Sequence, residues 1–110
     1  MGFLTLRQGD LFFSDALAVG HGVNIRGFMG AGVAKEFRLR YPEMYETYRV
    51  ACIRGELRAG AVMPWQNPTN GHWVYNLASQ DEPGAHARLE WLDSSVRSMV
   101  EHASRHGVPK

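Results

Sequence analysis

The segment from His21 to Ala34, His-Gly-Val-Asn-Ile-Arg-Gly-Phe-Met-Gly-Ala-Gly-Val-Ala, constrains the fold of this chain more than any other. Gly27, Gly30 and Gly32 fall within six positions, directly behind an apolar run and directly ahead of a helical pattern. Glycine is placed where the backbone takes positive φ or where another group must approach closely. A chain that turns through glycines into a helix offers unpaired N–H groups and the positive end of a dipole, which together bind anions such as phosphate. Two phosphate motifs are excluded by spacing. Val33-Ala34 stands where a Walker loop needs Lys followed by Ser or Thr. The dinucleotide pattern G-x-G-x-x-G is reversed here, and no acidic residue follows at the required distance. Spacing alone leaves two readings open: a phosphate-binding loop, or a strand-to-helix turn whose glycines serve packing.

The rest of the chain bounds the context of that loop. Its 110 residues allow one domain with a modest core, and an apolar content of 45% argues against disorder. A formal net charge of +1 gives no electrostatic case for unmodified nucleic acid or an anionic membrane. No apolar run is long enough to span a bilayer and no basic-then-apolar leader opens the sequence, so a cytoplasmic protein is expected. The single cysteine, Cys52, excludes an internal disulfide and shares an apolar helical stripe with Met44 and Tyr48, as a small core residue would.

Strands are expected at Phe3–Arg7, Ala16–Val23, Ala61–Met63 and His72–Ala78, with Pro64 to Gly71 as a polar turn. The pattern is helical from Ala31 to Pro42, which ends or bends that helix and would start the next, Glu43 to Arg54, closed by Gly55; it is helical again from Pro83. Arg105, His106, Gly107 and Pro109 mark the end of that last helix. Strands alternating with helices predict an α/β layered fold. His102 and His106, four apart, are read as solvated, and no histidine pair has a spacing that demands zinc. No cofactor or metal is expected.

Gly9-Asp10-Leu11-Phe12, the apolar strand ending in Asn24, Met29-Gly30-Ala31-Gly32-Val33-Ala34, Phe37-Arg38-Leu39-Arg40-Tyr41-Pro42 and Tyr75-Asn76-Leu77-Ala78-Ser79-Gln80 occur in the order found in macrodomains. The chain resembles that family of ADP-ribose-binding modules from about Leu4 to Lys110, and within it the branch of terminal ADP-ribose glycohydrolase and the bacterial DNA ADP-ribosyl glycohydrolases. The resemblance implies a three-layer α/β/α domain over residues 1–110 with a mixed central sheet, ending before the family's last strands and helix. It also implies that ADP-ribose or an ADP-ribosylated macromolecule is the partner, a nucleic acid only if so modified, and that the protein is a monomer. Turnover would be hydrolysis of an ADP-ribosyl linkage or removal of phosphate from ADP-ribose 1″-phosphate; the alternatives are a non-catalytic reader and a remnant that binds nothing.

Carried over position by position, the resemblance places Asp10 and the N–H of Leu11 at the adenine and Asn24 at the distal ribose. Gly30, Ala31 and Gly32 would line the diphosphate and distal ribose, with Val33 also among the ligand-binding residues and Met29 packed beneath the loop. Plainer roles exist for several: Asp10 as a turn or cap residue and Asn24 as the end of a strand. Ser79 and Gln80 stand where hydrolytic members carry a lysine that forms an adduct with the ribose, and neither side chain can do that chemistry. His21 is the candidate catalytic residue, as a general base or as proton donor to a leaving phosphate, with a hydrogen-bonded core histidine as its alternative. Asp81 and Glu82 are candidate acids near the ribose, or simply charges ahead of a helix.

Overall fold

A computed structural model of the chain describes residues 4–7, 10–13, 18–30, 32–82 and 87–107, with side chains for 18–30, 34–82 and 87–107. Five strands and three helices follow one another as β1 (Leu4–Arg7), β2 (Asp10–Phe13), β3 (Ala18–Val23), α1 (Gly32–Arg40), α2 (Pro42–Ile53), β4 (Val62–Gln66), β5 (Trp73–Ala78) and α3 (Leu89–Arg105). The strands form one sheet in the order β1-β2-β3-β5-β4. Only the β3–β5 pair is parallel, in register from Ala18 opposite Trp73 to Val23 opposite Ala78; the other pairs are antiparallel. The sheet is therefore mixed, as the resemblance implies.

Alternation along the two central strands sorts side chains into two cores. Ala18, Tyr75 and Leu77 point to one face and pack against Met99 and Ala103 of α3. Val23, Val74 and Ala78 point to the other, where they meet Met29, Met44, Tyr48 and Leu57 with Phe37 of α1 at the edge. A helix on one face and two on the other make the three-layer α/β/α sandwich. α3 has the most amphipathic sequence, and its buried residues Ser95, Met99 and Ala103 follow helical spacing. Its end is as the sequence predicts, with His106 as C-cap and Gly107 at φ +69°.

Three expectations are corrected. Asp10–Phe13 is a strand of its own, paired with β1 through Arg7 opposite Asp10, so Gly9-Asp10 divides two strands instead of ending one. β4 continues through Pro64 to Gln66, which the sheet tolerates because β4 is an edge strand and the missing N–H breaks no interior ladder. α3 begins at Leu89, after an extended Arg88 and an Ala87 bridged to Gln80, so the helix does not start at Pro83, which itself lies outside the described residues. Pro42 at the start of α2 agrees with the sequence reading, because Pro suits the first helical position.

Candidate functional site

The parallel pair β3–β5 delivers two chain segments to one end of the sheet, 24–30 and 79–82. Crevices beyond the carboxyl ends of parallel strands are where α/β folds bind ligands. Arg26 bridges the segments, donating from Nε to the carbonyl of Asp81 at 3.2 Å and reaching Glu82 Oε1 at 3.5 Å. Gln80 N–H approaches the carbonyl of Val23, the last residue of β3, at 3.4 Å, and the Ser79 carbonyl accepts Arg88 N–H at 2.9 Å. β2 runs antiparallel to β3 with Leu11 opposite Gly20, so Asp10 and Leu11 stand at this same end of the sheet. Backbone topology thus brings Asp10, Leu11, Asn24, Gly30, Gly32, Val33, Ser79 and Gln80 to one end, while Ala31 lies outside the described residues.

The glycine segment is held from below by polar side chains. Asn24, 4% exposed, donates from Nδ2 to the Phe28 carbonyl at 2.8 Å, and its Oδ1 accepts the N–H groups of Arg26 at 2.9 Å and Phe28 at 3.4 Å. The buried Tyr48 hydroxyl lies 2.7 Å from the Asn24 carbonyl and 3.0 Å from Oδ1 and donates to this pair; burial pushes its pKa up, so it stays a donor. Tyr45 donates to the Gly27 carbonyl at 3.1 Å. The Asn24 side chain is thus occupied by its own loop, and a ribose contact would fall to its second amide hydrogen. Met29 is buried in the core beside Met44 and Tyr48.

The glycines separate by role. Gly27 has φ +89° and backs onto Arg49 and Cys52 of α2, so its reasons are conformation and packing. Gly30 is exposed, lies outside the positive-φ set, and would meet no described atom within 4 Å if it carried a Cβ. Neither backbone strain nor packing among the described residues requires glycine there. Gly32 is the first residue of α1, where the unpaired N–H groups begin.

His21 is built into the core. It is 1% exposed, shares an approach of 2.7 Å between Nε2 and Asn76 Oδ1 on the neighbouring strand, and stacks on Phe37 with ring centroids 4.0 Å apart. Asn76 in turn donates to the Met63 carbonyl, tying three strands together. Burial lowers the imidazole pKa to about 4, against a smaller upward push from Asn76, so the ring is neutral at neutral pH. With Asn76 Oδ1 as acceptor, Nε2 carries the proton and Nδ1 is a bare buried acceptor without a described partner. A neutral, enclosed ring cannot protonate a leaving phosphate, which favours the core-histidine alternative.

Ser79 is 6% exposed, and a Cβ built on Gly22 would meet its Oγ at 2.7 Å. Gly22→Ala is therefore expected to destabilise the fold by about 1–3 kcal/mol through overpacking. Adding Ser79→Ala, whose Cβ would sit 3.9 Å away in ordinary contact, should restore most of the loss in a urea double-mutant cycle. Purely additive effects would show that the two residues do not collide.

Elsewhere, Cys52 is half-buried with its thiol pKa raised by burial, in keeping with a core residue. The expectation that His102 and His106 are solvated is corrected for His102: its Nδ1 pairs with the Tyr75 hydroxyl at 3.0 Å, and its ring stacks on His106 and meets the edge of Trp73. Among the described residues no three His, Cys, Asp or Glu side chains converge as a metal site would need, and no helix is long and apolar enough to cross a membrane. A cleft of about 540 Å³ between α2 and β4, lined by residues such as Val50, Leu57 and Met63, contains none of the glycine-loop residues.

Residues invisible as site components in the sequence are Tyr45, Tyr48, Arg26 and Asn76. The tyrosines sit on the apolar stripe of α2, where they read as core, and only the carbonyls they reach show why they carry hydroxyls.

No family model matches the chain. It is 37% identical over 99 residues to the DNA ADP-ribosyl glycohydrolase of Mycobacterium tuberculosis, covering 88% of this chain and 28% of that protein. Over 52 residues it is 38% identical to an ADP-ribose 1″-phosphate phosphatase of Aspergillus clavatus, covering 46% of this chain and 26% of that protein. The chain thus spans under a third of the length of these curated relatives. Among solved structures it superimposes on the macrodomain of Mycobacterium tuberculosis DarG with a TM-score of 0.83 at 28% identity, over 97% of this chain and 72% of the other. The macrodomain of Thermus aquaticus DarG gives 0.75 at 25% identity, over 82% and 61%. Mixed sheet, three layers, glycine loop and these likenesses agree: the chain is a macrodomain of the DarG-like branch.

Proposed function

We propose that this chain binds ADP-ribose, or the ADP-ribosyl group of a modified macromolecule, at the sheet end where residues 24–33 meet residues 79–82. The observation that carries this is Gly30, exposed and unobstructed on a loop fixed by Asn24, Tyr45 and Tyr48 and leading into the N-terminus of α1. Such a loop places N–H groups against a diphosphate at little entropic cost, because it is ordered before the ligand arrives. In this reading Asp10 and Leu11 take the adenine, Gly30, Ala31, Gly32 and Val33 the diphosphate, and Asn24, Ser79 and Gln80 the distal ribose. The relatives support it: one structural neighbour is a Thermosipho africanus DarTG in complex with ADP-ribose.

Binding without amine chemistry is the form best supported, because Ser79 and Gln80 offer no nucleophilic amine and His21 is neutral and enclosed. Hydrolysis of an ADP-ribosyl linkage is the second reading, favoured by the likeness to DNA ADP-ribosyl glycohydrolases. Calorimetry with ADP-ribose and AMP tests the binding claim. ADP-ribose is expected to bind on the order of tenfold or more tighter, since hydrogen bonds to a charged diphosphate add about 1.5–3 kcal/mol. Equal affinity for the two would sink it. Release of free ADP-ribose from an ADP-ribosylated oligonucleotide would move the assignment from reader to hydrolase.

A further inference from the structure

Phe28 is 59% exposed, although both of its chain neighbours, Gly27 and Met29, are buried. Its backbone is clamped on both sides by one side chain: its N–H donates to Asn24 Oδ1 and its carbonyl accepts from Asn24 Nδ2. Asn24 is anchored by Tyr48, and the residue before Phe28 is fixed by Tyr45 and turned at φ +89°. Buried polar groups therefore hold a phenyl ring out into water at the rim of the glycine loop. A turn that only reversed the chain would be served by Gly, Asn or Ser at that tip. An aromatic ring presented rigidly to solvent beside a ligand site is a stacking surface.

We propose that Phe28 is the platform on which a nucleobase of the target strand stacks when the ADP-ribosyl group is carried by a nucleic acid. This rests on the ADP-ribose reading and assigns one residue of this chain to contact with the target strand. In that reading Asn24 stands at the distal ribose, the sugar whose anomeric carbon bears the target, so the residue clamped to Asn24 lies where the target leaves the pocket. Every base has a π-face, so stacking tolerates sequence, whereas the side chain next to a modified peptide position is aromatic only occasionally. The neighbouring charges are balanced, since Arg26 faces Glu82, and the whole chain carries +1. Stacking, and not phosphate neutralisation, is then the source of affinity for the strand, and the salt dependence is shallow.

The test compares three probes by titration at times short against any cleavage: free ADP-ribose, an ADP-ribosylated single-stranded oligonucleotide and an ADP-ribosylated peptide. Phe28→Ala is expected to weaken the oligonucleotide on the order of tenfold, as loss of one base-aromatic stack does, and to leave ADP-ribose and peptide within about twofold. Phe28→Trp should retain or tighten oligonucleotide binding. An unchanged oligonucleotide affinity in Phe28→Ala overturns the assignment, as does an equal loss for the peptide or for free ADP-ribose. A wild-type protein that binds none of the three overturns the ADP-ribose reading itself, and the platform with it. Thermal melting of Phe28→Ala should match wild type, because the ring is exposed and its backbone bonds remain.

Discussion

Gly30→Glu is expected to abolish ADP-ribose binding while leaving the fold at wild-type stability. Gly30 is exposed, adopts no positive φ and has no described atom within 4 Å of a built Cβ, so among the described residues nothing opposes a side chain there. A carboxylate two residues ahead of α1 also favours the helix dipole. The same carboxylate would occupy the ground in front of the N–H groups that a diphosphate needs, and juxtaposed like charges cost several kcal/mol, a loss of about a hundredfold or more. Calorimetry and thermal melting on the same preparation read the two effects separately. Wild-type affinity in a folded Gly30→Glu protein would reduce the loop to a packing turn and remove the observation on which the ADP-ribose site stands. Gly27→Glu should behave oppositely, losing stability, because φ +89° and the contacts with Arg49 and Cys52 penalise any side chain at that position.

This contrast between glycines marks how far the sequence could be read. Spacing pointed to a strand, a glycine turn and a helix, and β3, the loop and α1 are where it placed them. It could not tell which glycine serves conformation and which serves access, because that depends on α2 packing beneath Gly27 and leaving Gly30 open. Length-limited signals failed in a consistent way. β1 and β2 are four residues each, too short for Leu11-Phe12-Phe13 to read as a second strand, so Gly9-Asp10 reads as the end of one. Pro64 reads as a stop, and only the position of β4 at the sheet edge makes it permissible. Pro83, a familiar helix opener, reads as the start of α3, whereas Ala87 bridges Gln80 and the helix begins at Leu89. Tyr48 illustrates the limit for the site. Periodicity sees a large apolar side chain on a buried stripe, but its hydroxyl reaches Asn24, a residue 24 positions earlier, and such pairings are set by tertiary contact alone.

The buried histidine gives the second large expectation, a loss of stability on acidification that belongs to one side chain. His21 has its pKa lowered from 6.5 to about 4 by burial, so above pH 6.5 it is neutral folded and unfolded alike and contributes no pH dependence. Between pH 6.5 and 4 the unfolded chain binds a proton at this position and the native state does not, so stability falls as the pH falls. Once the pH is below the folded value the loss is complete, and at 1.36 kcal/mol per pH unit it amounts to roughly 3 kcal/mol. His21→Gln keeps a group able to pair with Asn76 but removes the titration. It should be less stable at neutral pH, because the stack on Phe37 is gone, and its disadvantage relative to wild type should shrink by roughly 3 kcal/mol between pH 7.5 and 4. Carboxylates and His102 titrate in both proteins and cancel in the difference. Urea unfolding across that range measures it, and parallel pH profiles would show that His21 is charged or exposed in the native state. That outcome would also reopen proton donation by His21 at the ribose, because a ring that takes up a proton near neutrality can give one to a leaving group, whereas a buried ring that stays neutral has no proton beyond the one Nε2 gives to Asn76.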